Sequence, residues 1–67
     1  MTVRIHPTAI IENDVVIGKG SSVWDNAHIR HHAVIGEQCI IGGKSTIAYE
    51  VVIGNRCKIN SAAYLCN

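Results

Sequence analysis

Residues 33–54 read AVIGEQCIIGGKSTIAYEVVIG, with an isoleucine at every sixth position: Ile35, Ile41, Ile47 and Ile53. Continuing in steps of six meets Ile29, Val23, Ile17, Ile11 and Ile5 on one side and Ile59 and Leu65 on the other. Every member of this set is aliphatic. The residues two places earlier are Ala9, Val15, Ser21, Ala27, Ala33, Cys39, Ser45, Val51, Cys57 and Ala63, all small or of modest size. An α-helix turns ~240° over six residues, at ~100° per residue, and would scatter the aliphatic set over three faces. A strand instead puts residues i and i+2 on one side. Each hexad therefore reads as a short strand with two inward side chains, followed by a corner.

Composition agrees with that reading. The chain has eleven Ile and seven Val against one Leu and one Met, and stiff β-branched side chains suit a pleated strand better than a helix. Gly18, Gly36, Gly42 and Gly54 each follow an aliphatic residue, while Asn13, Asp14, Asp25, Asn26 and Asn55 fill other corner positions. These residue types tolerate tight or left-handed backbone. The expected fold is all-β: a parallel β-helix of hexapeptide repeats forming one domain over residues 1–67.

Size and charge exclude several functions. Sixty-seven residues is half an ordinary domain, too little for a two-domain enzyme. A net charge of +1 argues against an electrostatic binder of nucleic acid or membrane. The chain is 48% apolar, yet no run approaches the ~18 residues that span a bilayer. The start, MTVRIHPTAI, has no apolar segment of secretory-signal length. The three cysteines are odd in number and lack metal-knuckle spacing. A cytoplasmic location with no resident metal is expected.

The hexads, together with IHPTAI (5–10), SVWDNAHI (22–29) and AVIGEQCIIG (33–42), resemble the hexapeptide-repeat acyltransferases, and most closely the sugar-nucleotide N-acetyltransferases among them. The resemblance covers nearly the whole chain. It implies a left-handed parallel β-helix with three hexads per triangular coil, here about three and a half coils. It also implies a homotrimer, acetyl-CoA as cosubstrate between adjacent subunits, and acylation of an amino group on a nucleotide-linked sugar. Such relatives are longer, so the chain is expected to be the N-terminal part of a longer acyltransferase, stopping within a coil at Cys66 and Asn67.

With three hexads per coil, equivalent residues stack ~4.8 Å apart, the spacing of neighbouring strands. The inward ladders become Ile5–Val23–Ile41–Ile59, Ile11–Ile29–Ile47–Leu65 and Ile17–Ile35–Ile53. Ser21, Cys39 and Cys57 form another, in which the cysteines act as small buried groups. Outward, Val16, Val34 and Val52 make an apolar stripe where a solvated sheet would be polar. It is the expected trimer interface.

The polar residues gather at one corner. Stacking sets Arg30 over Glu12, His32 between Asp14 and Glu50, and His31 between Asn13 and Tyr49. A histidine flanked by carboxylates gains a fixed orientation and favours its charged form, which suits acid–base work. Acyl transfer needs a base for the acceptor proton, a donor for the thioester oxyanion, and alignment. His32 is one candidate for the base. The resemblance adds His28, in Ala27-His28-Ile29, and Asn60, whose amide after Lys58-Ile59 fills the catalytic role in some relatives. Trp24, Arg30 and His31 are candidates for binding the sugar substrate, and His6-Pro7 is read as a cap and turn. Two other functions compete. One is a non-catalytic β-solenoid that serves assembly. The other is a zinc enzyme like the γ-type carbonic anhydrases, which needs three protein ligands; His28, His31 and His32 are the available set, with adjacent His31 and His32 expected to point apart.

Overall fold

A computed structural model describes residues 2–66; the chain stop expected at Asn67 therefore lies outside the described residues. Within them, eleven two-residue strands follow one another at six-residue intervals. They are β1 (Arg4–Ile5), β2 (Ile10–Ile11), β3 (Val16–Ile17), β4 (Ser22–Val23), β5 (His28–Ile29), β6 (Val34–Ile35), β7 (Ile40–Ile41), β8 (Thr46–Ile47), β9 (Val52–Ile53), β10 (Lys58–Ile59) and β11 (Tyr64–Leu65). Every third strand pairs in parallel, giving three sheets ordered β1-β4-β7-β10, β2-β5-β8-β11 and β3-β6-β9. The register is 18 residues throughout, as in Ile11↔Ile29↔Ile47 and Val16↔Val34↔Val52. The chain is thus a β-solenoid of hexapeptide repeats, with the inward ladders as expected.

Ile29, Ile35, Ile41, Ile47 and Val23 are fully or almost fully buried along the axis, with Ala27, Ala33 and Cys39 filling the corners of the triangle. Each large aliphatic side chain buried here contributes about 1.5–3 kcal/mol relative to exposure. The small ladder carries polar work as well. Buried Ser21 donates from Oγ to the Gly36 carbonyl (2.8 Å) and accepts from the Cys39 amide (3.0 Å). Cys39 repeats the pattern one coil later, its thiol donating to the Gly54 carbonyl at 3.0 Å. A small residue with a weak or strong donor fits this ladder because it satisfies a glycine carbonyl turned toward the interior.

The corners differ in detail from the sequence reading. The left-handed position is the third residue after each inward aliphatic from Ile11 to Ile59: Asp14, Gly20, Asn26, His32, Gln38, Lys44, Glu50, Arg56 and Ala62, with φ between 55° and 78°. This turn aims the amide back along the solenoid axis. Lys44 N–H donates to the Asp25 carbonyl (2.7 Å) and Arg56 N–H to that of Glu37 (2.8 Å). A bond of this kind offsets the ~1–2 kcal/mol that left-handed backbone costs a residue with a Cβ. Gly18, Gly36 and Gly42, directly after the aliphatics, have another cause, which is crowding. A Cβ on Gly18 would lie 2.6 Å from the Gly36 carbonyl carbon.

The first coil is tied to the second by Thr8, whose Oγ1 accepts from the Asn26 amide at 2.9 Å. The Thr8 amide donates to His6 Nδ1 at 3.2 Å, so His6-Pro7 serves as a turn. On the β3-β6-β9 sheet, Val16, Val34 and Val52 all stand exposed. No helix among the described residues is long and apolar enough to cross a membrane.

Candidate functional site

The residue at the centre of the polar corner is Glu12, in the turn after β2. Its Oε2 lies 2.7 Å from His28 Nε2 and 2.8 Å from Arg30 Nε, and its Oε1 accepts the His31 amide at 3.1 Å. The Arg30 contact is ionic and not a hydrogen bond, since Nε has no aligned acceptor. The His28 bond holds the Glu12 carboxyl below its ordinary range; partial burial acts against this, and the His31 amide and the Arg30 charge reinforce it. Glu12 is 26% exposed and His28 37%, so the pair is shielded on one side and open on the other.

Alternation along β5 explains the meeting. His28 is the outward residue of the strand, and Arg30, two residues on, leaves the coil on the same side. Glu12 stacks beneath Arg30 and leans toward both. The sequence reading found the Glu12–Arg30 pair but missed Glu12–His28. Counting the outward strand residue and the first corner residue as one surface would have shown it.

Beyond Glu12, the corner continues with His31, His32 and Tyr49. His31 stacks on Tyr49 with ring centroids 5.4 Å apart and planes 12° from parallel, as the coil register predicts. His32 Nε2 lies 3.4 Å from Asp14 Oδ2. Glu50 is not its second partner: the Glu50 amide donates to the His31 carbonyl, and its side chain forms no ion pair among the described residues. The rings of His31 and His32 do not point apart either. Their Nδ1 atoms are 3.0 Å apart in an edge-on arrangement, because left-handed φ at His32 swings its side chain back toward its neighbour. Even so, no three His, Cys, Asp or Glu side chains among the described residues are grouped to hold a metal ion.

Trp24 and Asn60 occupy a different corner, the one between the β1-β4-β7-β10 sheet and the next. There they line an open groove of about 450 Å³ with Asp25, Gly43, Lys58 and Ser61. Its floor is fixed by Asp25, whose carboxylate packs against Gly43 and pairs with Lys44 Nζ at 3.3 Å. The Lys44 bond lowers the Asp25 carboxyl, helped by Asp25's own amide and by the Lys44 charge. Trp24 is half exposed and lines the groove together with Lys58. The six candidates thus divide: His28, Arg30, His31 and His32 stand with Glu12, and Trp24 and Asn60 stand with the groove. Trp24 and His28 are four positions apart in the chain, which limits their Cα separation to about 14 Å.

Residues 15–49 and 32–67 match the profile of the bacterial transferase hexapeptide (six repeats) family. No curated protein matches the chain.

Proposed function

The chain belongs to the bacterial transferase hexapeptide family, and on that premise we propose that it forms part of an acetyl-CoA-dependent acyltransferase acting on an amino group of a nucleotide-linked sugar. One observation carries the reading: the imidazole of His28, tied to Glu12 at 2.7 Å, stands one hexad from a groove lined by an aromatic ring, an ammonium and an amide. An imidazole is suited to take a proton near neutral pH. The groove offers Trp24 for stacking, Lys58 for phosphate and Asn60 for sugar hydroxyls.

In this reaction the acceptor amine attacks the thioester carbon as His28 takes the amine proton. The C–S bond breaks, an amide forms, and the proton passes to the departing thiolate to give CoA. Arg30 and His31, which share Glu12 with the imidazole, contact the substrate. His32, held by Asp14, is the less sheltered alternative base, and Asn60 supplies an amide on the groove side. The apolar stripe of Val16, Val34 and Val52 packs against a second subunit, so that a homotrimer places acetyl-CoA between neighbours.

Sedimentation velocity with and without acetyl-CoA, followed by chromatographic detection of CoA release with uridine- and thymidine-diphosphate amino sugars, tests the reading. A trimer that tightens with acetyl-CoA and releases CoA only with an amino sugar is expected. His28→Ala should lower turnover about 100-fold or more with the assembly intact. Asn60→Ala should chiefly raise KM. A species indifferent to acetyl-CoA and inactive on every amino sugar would overturn the proposal in favour of a structural solenoid.

A further inference from the structure

The geometry points to Glu12 as a positioning residue that holds His28 in the Nε2–H tautomer and leaves Nδ1 as the atom that accepts the proton. This rests on the reading of His28 as the base. An ionised carboxylate only accepts hydrogen bonds. The Glu12 oxygens face three nitrogens: the backbone amide of His31 at 3.1 Å, Arg30 Nε at 2.8 Å and His28 Nε2 at 2.7 Å. The first two carry hydrogen permanently. A lone pair on Nε2 would face the carboxylate lone pairs at 2.7 Å, so Nε2 carries hydrogen as well.

A neutral imidazole has one N–H, so Nδ1 keeps its lone pair, and it has no hydrogen-bond partner among the described residues. The residues in register with His28 are Ile10 before it and Thr46 after it, neither of which titrates. Glu12 on the preceding coil and Arg30 on its own are the charged groups that face it.

The consequence is directional. The acceptor amine meets the ring at Nδ1, the nitrogen bonded to Cγ, and not at Nε2, which Glu12 occupies.

Long-range proton–nitrogen correlation spectra of the full 15N-labelled chain, taken above the titration of the ring, read the tautomer directly. The wild type should show pyrrole-type Nε2 and pyridine-type Nδ1 for His28. In Glu12→Ala both nitrogens should move toward the average of the two tautomers, while Glu12→Gln, which keeps an oxygen acceptor, should retain most of the wild-type pattern. A wild-type Nδ1–H tautomer or an unchanged pattern in Glu12→Ala would each overturn the inference. If Glu12→Ala does not fold, the wild-type tautomer and Glu12→Gln decide. Because the spectra need no turnover, the two failures are separable. The expected tautomer with no acetyl transfer removes the function and leaves Glu12's hold on the ring. Acetyl transfer with the other tautomer removes only this inference.

Discussion

Replacing Gly36 with alanine separates crowding from backbone conformation as the reason for the corner glycines. A Cβ at Gly36 would stand 2.7 Å from the Gly54 carbonyl carbon and 2.8 Å from the Asn55 nitrogen. That is about 0.8 Å inside the ~3.5 Å at which carbon atoms rest. The Asn55 side-chain oxygen stands nearer still, but backbone lies behind it, so relief requires the two coils to part at that corner. Three hydrogen bonds cross there: Gly36 N–H to the Ile53 carbonyl at 2.9 Å, Glu37 N–H to Asn55 Oδ1 at 2.9 Å and Arg56 N–H to the Glu37 carbonyl at 2.8 Å. Parting by that distance stretches all three past the normal range, at about 1 kcal/mol each. The stiffer unfolded chain returns about 0.4–1 kcal/mol. A net loss of about 2–2.5 kcal/mol follows. Gly54, in register with Gly36 one coil later, has nothing within 4 Å of its virtual Cβ. Gly54→Ala should therefore be neutral or stabilise by up to about 1 kcal/mol. Urea denaturation followed by far-ultraviolet circular dichroism measures both. Equal midpoints for the two variants, at unchanged m-value, would refute the crowding argument.

Two further outcomes follow from the corners. Arg56 is exposed, forms no ion pair among the described residues and holds φ 57°, so Arg56→Asn should raise stability by about 0.5–1 kcal/mol in the same titration, since Asn tolerates left-handed backbone. Glu12 and Asp25 have lowered carboxyl pKa values in the folded chain. Their contribution is therefore fully present above the ordinary glutamate and aspartate values of 4.5 and 3.8, and is lost as pH falls through the folded values. Acid unfolding should show this loss below about pH 4.5, and Glu12→Gln should flatten the upper part of that dependence.

The candidate site was legible only where coil register alone decides contacts. Arg30 over Glu12 and His31 on Tyr49 are pairs of residues one coil apart, and spacing finds them. Glu12 with His28 was missed because the pair is offset by two residues, a displacement set by how a long side chain leans. Glu50 fails to reach His32, and His32 turns toward His31, because left-handed backbone redirects both corner side chains. Asn60 and Trp24 sit on a corner apart from the histidines, a division that their positions in the hexad already implied.

By itself the sequence determined the solenoid, its register and its core, because aliphatic residues every six positions have one low-energy way to be buried together. It also determined which residues share a corner. Tertiary structure alone decided why Gly18, Gly36 and Gly42 carry no side chain, since the crowding at Gly36 comes from the next coil. It alone made Glu12 the centre of the site. One carboxylate meets three nitrogens there because the coils stack within hydrogen-bond reach, and side chains one coil apart then choose partners by length and charge, which no repeat period encodes.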